Sequence, residues 1–492
     1  MLSSANRLRI AISALALAIA ASTAAFSSYR MTDMGFNPYT YAAGINDAGQ
    51  IIISPGNQAM LRAPDGTLTL IGQLSGDTGS VATAINNLGS VGAISLNSND
   101  PFVKVGPTLE NIGLPAGDAH SSVMWLNDNN AAVGWTEDEN YLHMTAYYWS
   151  AATGRLAICG SGNNLYSIAY GVNDASEVVG IGTNGHAFHW DPANGLADLG
   201  TLSGDSDSNL QSINDAGVAV GYSYSPLSSA DYHGVLWTAS GGMVAMGAAS
   251  GFNVVEPCYI NGNGLVAGDW GDEYLGESQL MNPGIFLWRA GAGFVALSSL
   301  VTNLGGYTIE QVNGLNNNDA MVAIAQNPSG SYVAVLLTPM DVVDPSSYSI
   351  FRGIYASGSL SGLLAIDGAY LVVKAGPTLN TSEAPITVVV NGTSSTSTPS
   401  DLRLSVTAHA NTPNLSQTIQ LWDFQASAWV TVSTQAATTS NSTRVGLGLN
   451  PARFVQSGTN AVRARVSWKQ TGPTLIYQWS AFIDQIVWNI SP

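Results

Sequence analysis

Short apolar runs alternate with polar turns along most of the chain, and one step recurs at a near-constant interval. A hydrophobic residue is followed by Asn and a polar turn in Ile45-Asn46-Asp47-Ala48-Gly49, Ile85-Asn86-Asn87-Leu88-Gly89 and Leu126-Asn127-Asp128-Asn129-Asn130. The step returns in Val172-Asn173-Asp174-Ala175-Ser176, Ile213-Asn214-Asp215-Ala216-Gly217, Ile260-Asn261-Gly262-Asn263-Gly264 and Leu315-Asn316-Asn317-Asn318-Asp319. The intervals are 40, 41, 46, 41, 47 and 55 residues, the length of a four-stranded propeller blade. In the fourth copy the pattern predicts strands at Ser167–Val172, Glu177–Ile181, His186–Trp190 and Leu196–Gly200. The Asn-Asp turns suit residues that bond their own backbone and tolerate the left-handed region. No segment sustains a helical period, so the fold class is all-β.

The fourth copy also carries a family resemblance. Gly171-Val172-Asn173-Asp174, Val178-Val179-Gly180, His186-Ala187-Phe188 and Asp198-Leu199-Gly200-Thr201-Leu202 resemble the extracellular HAF repeat, named for its His-Ala-Phe triplet. The resemblance covers about Arg30 to Pro339, roughly 60% of the chain. Other copies drift: the triplet becomes His233-Gly234-Val235 in the fifth and Gly284-Ile285-Phe286 in the sixth. The resemblance implies an exported protein and brings no catalytic residues with it.

The seventh copy has a third strand at Tyr332–Thr338 but no fourth, while the chain begins with an orphan, Met31-Thr32-Asp33-Met34-Gly35, similar to Ala197-Asp198-Leu199-Gly200. These observations predict a seven-bladed β-propeller over residues 29–339, closed by the N-terminal strand, because closure leaves only short protected edges. An open solenoid and a six- or eight-bladed ring are the competing architectures. Residues 340–347 read as a linker. From residue 348 to 492 the repeat is gone. Eight strand-like segments there, several of them alternating, among them Ala461–Trp468 with Val462, Ala464, Val466 and Trp468 on one face, predict a β-sandwich, jelly-roll-like in type. It is loosely similar to accessory sandwich modules of secreted bacterial proteins, some of which bind carbohydrate.

Residues 1–25 read as a signal peptide. Arg7 and Arg9 precede the apolar run Ile10–Ala21, and Ser22-Thr23-Ala24-Ala25 supplies small residues for cleavage. The run is short for a membrane span, so the expectation is a secreted or cell-surface protein of a bacterial-type cell, not inserted in the membrane. Composition agrees with export: 53 Gly, only 10% charged residues, and Lys confined to Lys104, Lys374 and Lys469. A net charge of −18 argues against nucleic acid as a partner, because that binding rests on Lys and Arg displacing counterions. Cys159 and Cys258 fall in different repeats and are read as two buried free thiols, although export permits a disulfide.

In a four-stranded antiparallel blade the loops between second and third strands lie on one face. The longest here hold Trp135 and Tyr141, with Glu137 and Glu139; Tyr222, Tyr224 and Tyr232, with Asp231 and His233; and Asp269, Trp270, Asp272 and Tyr274. Rigid rings give contact area at low entropic cost and acids accept from hydroxyls, so this set is a candidate ligand-binding face. The competing reading is polar loops with the aromatics packed between blades. Asp205, Asp207 and Asn209 place oxygens at alternate positions, like the first half of a Ca²⁺ loop, without its central Gly or its Glu at position 12. A solvated turn is the simpler account, and no other cofactor is indicated. His186 and His189 point to opposite faces of a strand and cannot share a metal.

No HExxH, Gly-x-Ser-x-Gly or P-loop is present. Pairs such as Asp269 and Asp272 have the chemistry of glycosidase carboxylates, but their clustering on a loop predicts exposure and ordinary acidity. The expectation is therefore a non-catalytic binding or adhesion protein whose ligand is a glycan or an extracellular protein. A glycan-active hydrolase or lyase on the same scaffold and a structural matrix component are the alternatives.

Overall fold

The structure is a computed structural model that describes residues 26–36, 42–159, 166–225, 231–272, 274–275, 279–280, 282–302, 304–379, 382–472 and 478–491. The signal-peptide segment lies outside the described residues. Among the described residues no helix is long and apolar enough to cross a membrane. The chain divides into an N-terminal unit, Met1–Thr338, and a C-terminal unit, Pro339–Pro492.

The N-terminal unit is all-β and propeller-like. Its fourth repeat pairs Ile168–Val172, Val178–Ile181, Ala187–Asp191 and Gly195–Asp198 in order as one antiparallel sheet, within two residues of the predicted bounds. The same order recurs in the repeats that begin at Ala42, Gly79, Asp118, Asp207 and Val254. In the last repeat Thr308–Leu315, Met321–Gln326 and Tyr332–Val343 are joined by Ser28–Asp33 from the other end of the chain. The Met34 amide donates to the Ala334 carbonyl at 3.1 Å, and Tyr29 and Met31 are buried there.

The recurrent Asn explains how the repeats lock together. In every copy its Oδ1 accepts from the amide four residues on, closing its own turn: Gln50, Ser90, Ala131, Glu177, Val218, Leu265 and Ala320 are the donors. Its Nδ2 donates to the carbonyl of the next repeat's Asn. The chain of bonds runs Asn46, Asn86, Asn127, Asn173, Asn214, Asn261, Asn316 and back to Asn46, at 2.8–3.2 Å. All seven side chains are buried, and a buried amide needs both its donor and its acceptor satisfied. A second series sits outside it. The amides of Asp47, Asn87, Asp128, Asp174, Gly262 and Asn317 each donate to the side chain of the corresponding residue in the next repeat. Asp215 faces Gly262, which has no side chain to accept.

The C-terminal unit has two antiparallel sheets over one core. One orders Ser347–Arg352, Ile386–Thr393, Ala461–Gln470, Leu415–Asp423 and Ala428–Ala436. The other contains Ile354–Ser357, Leu371–Lys374, Ser480–Ser491, Asp401–Ala410 and Ser442–Leu447. Leu404, Val406 and Trp488 of one sheet and Val390, Val466 and Trp468 of the other belong to one buried cluster. Val462, Ala464, Val466 and Trp468 do share the inward face. The reading of 340–347 as a linker needs correction. Asp341, Val342 and Val343 pair with Ile490, Asn489 and Trp488, and Ser347 with Asn391, so only residues 344–346 connect strands.

Candidate functional site

The first strand of each repeat bends on a bulge, and the bulges build the site. Register shifts fall between Ala42 and Gly44, Ala82 and Ala84, Val123 and Trp125, Ala169 and Gly171, Leu210 and Ser212, Pro257 and Tyr259, and Val312 and Gly314. The skipped residues are Ala43, Thr83, Met124, Tyr170, Gln211, Cys258 and Asn313. All of them line one cavity of about 430 Å³, enclosed by the first strands of the repeats. A bulge inserts one extra residue and re-aims its side chain; repeated in every copy, it turns seven side chains onto one space. Asp269 lines the same cavity.

At the strand ends opposite the Asn turns, the fifth repeat carries three tyrosines. Tyr224 and Tyr232 stack at 4.5 Å with 10° between planes, and Tyr222 lies 5.7 and 5.6 Å from them. Asn209 Nδ2 lies 3.4 Å from the Tyr222 hydroxyl, and the Asn209 side chain opposes the upward push of burial on the Tyr170 hydroxyl. Burial, then the Tyr224 hydroxyl and the charges of Glu256 and Asp207, push the Tyr232 hydroxyl up to about 12. The cluster is thus a set of neutral hydroxyls beside carboxylates.

Asp269 departs from the expected ordinary acidity. It pairs with Glu256 across two strands and is pushed up to about 7, by burial first and then by the negative charge of Glu256. Cys258 Sγ lies 3.8 Å from its Oδ2, and burial pushes that thiol well above its usual range. Both cysteines are free. Asp269 with Asp272 is therefore not the relevant pair. Asp272 accepts from Asn282, and the partner of Asp269 is Glu256, which the loop-centred reading missed.

The third repeat contributes a second cluster at the same strand ends. Tyr141, 68% exposed with φ of 58°, stacks on His120 at 5.0 Å. His143 Nε2 lies 3.1 Å from Asp118 Oδ1, and the amides of Leu142 and His143 donate to Asp138 at 2.7 and 3.1 Å. Glu137 is raised, by burial first and then by Asp138, with His120 opposing.

Several predicted site residues are placed differently. Ala132–Asp138, Ala219–Tyr224 and Val266–Gly271 are strands, so Trp135, Glu137, Tyr222, Tyr224, Asp269 and Trp270 are strand residues and not loop residues. Trp270 leaves the candidate face: it is buried, stacked on Phe252 at 4.4 Å and packed near Phe286 and Phe294. Trp135 is half-buried in the sheet. Tyr274 is a strand residue whose side chain lies outside the description.

The run from Asp205 to Asn209 is only in part a loop. Asp207–Ile213 is a strand, Asp205 Oδ2 lies 3.1 Å from His233 Nδ1, and Ser206 donates to Asp207. Asp205, Asp207 and Asn209 therefore face different partners. Among the described residues no three His, Cys, Asp or Glu side chains form a metal-sized group. His186 lies 3.1 Å from Asp198, while His189 packs tilted against Trp237 and lies 3.5 Å from Glu177, so the two rings have different neighbours.

No family model and no curated protein matches the chain. Similar solved structures include a virginiamycin B lyase from Staphylococcus aureus, 11% identical over 63% of this chain and 98% of that one, with a TM-score of 0.41. A second is YCF48 bound to a D1 peptide, 9% identical over 64% of this chain and 98% of that one, with a TM-score of 0.40. A third, described as CBM4, is 16% identical over 30% of this chain and 89% of that one, with a TM-score of 0.20.

Proposed function

We propose that the N-terminal unit is a seven-bladed β-propeller of HAF-like repeats, that the C-terminal unit is a jelly-roll-like β-sandwich, and that the protein is exported and binds a glycan through the propeller. The observation that carries the binding reading is the cluster of Tyr222, Tyr224 and Tyr232 beside Asp207 and Glu256, with the Asn209 amide against the Tyr222 hydroxyl. Stacked rings present flat apolar area, and carboxylates with phenolic hydroxyls accept and donate to sugar hydroxyls. Retention of the purified protein lacking residues 1–25 on a polysaccharide array, with and without Ca²⁺, tests this. Tyr224→Ala is expected to weaken retention about tenfold, the loss of a stacked aromatic contact, with an unchanged melting temperature. No retention by any glycan, or equal retention by the variant, overturns it.

A second reading, a glycan-active enzyme, is favoured by one observation: Asp269 sits near neutrality beside Glu256 in a cavity. A carboxyl of that acidity exchanges protons at working pH. Release of reducing sugar from any retained glycan, abolished in Asp269→Asn, would put this reading first; absence of release across the array removes it.

A further inference from the structure

The acidity of the chain is not evenly spread. Residues 339–492 hold eight of the 15 Lys and Arg and only seven of the 33 Asp and Glu. The N-terminal unit therefore carries all of the net negative charge, and the C-terminal unit is close to neutral. Within it, the outward face of one sheet is cationic. On Ala461–Gln470 the outward residues are Arg463, Arg465, Ser467 and Lys469. The only acid in this strand and in Ile386–Thr393, Leu415–Asp423 and Ala428–Ala436 is Asp423, which is fully buried and held by Arg453.

Two of the guanidinium groups are held in place from below. The Arg463 guanidinium lies 5.7 Å from the Trp422 ring and 5.5 Å from the Trp429 ring, and that of Arg465 lies 4.6 Å from Trp429. The two indoles pack edge-to-face at 5.1 Å, and the Gln420 Oε1 accepts from Arg465 Nε. Neither arginine makes an ion pair among the described residues. Stacking on a ring fixes the plane of a guanidinium but uses none of its N–H donors. Polar residues extend the same rows across the sheet: Asn391 is the cross-strand partner of Arg463, and Gln420 pairs with both Arg465 and Thr431.

We infer that this face binds a linear anionic polysaccharide, its carboxylates or sulfates taken by Arg463 and Arg465 and its hydroxyls by the flanking amides and hydroxyls. Alternate residues on a strand stand about 7 Å apart, so the two arginines and Lys469 offer charge along a line, as a polymer does. Planar guanidinium forks match carboxylate and sulfate oxygens. This site uses neither the residues nor the ligand chemistry of the propeller cavity.

Affinity electrophoresis of the protein lacking residues 1–25, in gels containing polygalacturonate, dextran sulfate or neutral dextran, tests the inference. A chain this acidic is repelled by a polyanion, so retardation requires a local site. Retardation is expected with polygalacturonate or dextran sulfate, whichever supplies the fitting anion, and not with dextran. It is expected to vanish as NaCl rises from about 50 to about 500 mM, where screening is strong. Arg463→Gln with Arg465→Gln is expected to weaken retardation at least tenfold while leaving the melting temperature and the array retention of the propeller site unchanged. The inference is overturned by no retardation with either anionic polymer, by equal retardation of the double variant, or by equal retardation in duplex DNA.

Discussion

At Asp269, burial and the charge of Glu256 act in the same direction, and the sign of the result is testable. The folded carboxyl titrates near 7 and the unfolded one near the ordinary aspartate value of 3.8. Between those values the folded state holds a proton that the unfolded state has lost, so stability falls as pH rises from about 4 to 7. Three pH units set a ceiling of about 4 kcal/mol. Asp269→Asn keeps the neutral form at every pH. Its melting temperature relative to the wild type is expected to rise by several degrees between pH 5 and pH 8, and a pH-independent difference would contradict the assigned burial. Glu256→Gln is expected to move the wild-type transition to lower pH. A second residue-scale case is Asn127, whose side chain donates to Asn173 and accepts from Ala131, both at 2.8 Å and both buried. Asn127→Ala is expected to cost about 2–4 kcal/mol in denaturant unfolding, since it leaves buried partners unsatisfied. Asn87→Ala, in the exposed outer series, is expected to cost less than about 1 kcal/mol.

Strands and turns were legible in the sequence because period-two alternation and Asn-Asp-Gly turns are local signals. The bulge is not local. It is a mismatch between two strands, and it accounts both for the cavity lining and for a glycine of the repeat. In four repeats the second strand carries a Gly opposite the bulge. A Cβ on Gly180 would stand 2.0 Å from the Ile168 carbonyl oxygen, and one on Gly221 2.0 Å from that of Asn209. Gly180→Ala is therefore expected to cost more than about 4 kcal/mol or to prevent folding of the N-terminal unit. Gly195→Ala, at φ of 75° with nothing within 4 Å, is expected to cost about 1 kcal/mol. Similar losses for the two would mean that the carbonyl can move away. The cavity residues follow from the same device. Each stands two positions before the hydrophobic residue of the repeated step, so Tyr170, Gln211 and Cys258 could have been found by that offset alone. Glu256 lies outside that offset and required the strand pairing itself. Trp270 was misplaced because the strand Val266–Gly271 runs three residues into the stretch read as loop, which carries its ring into the apolar packing.

At the scale of the whole molecule, the legible part was the part that repeats. A single motif repeated at a blade-length interval fixes the number of Asn turns, and the unmatched strand at the start of the chain points to where the last sheet finds its partner. The sheets of the C-terminal unit have no such period; their strands could be read from alternation, but Ser347–Arg352 and Ile354–Ser357, split at Gly353, were not picked out as strands. Ring closure carries its own energetic consequence. Ser28–Asp33 pairs with the strand Tyr332–Val343, the Thr302 amide donates to the Tyr29 carbonyl at 3.0 Å, and Tyr29 is 1% exposed. Removing this strand uncovers the edge of the last sheet and empties the Tyr29 site. A chain beginning at residue 37 is therefore expected to lose several kcal/mol in the N-terminal unit relative to one beginning at residue 26, since burial of an aromatic alone is worth about 3–5 kcal/mol. It is also expected to self-associate, because an unpaired edge templates pairing. Calorimetry and sedimentation distinguish the outcomes. A destabilised first transition with an unchanged second one, and association that grows with concentration, mean that the ring depends on its terminal strand. Two unchanged transitions in a monomer would mean that the seven Asn-to-carbonyl links hold the ring by themselves.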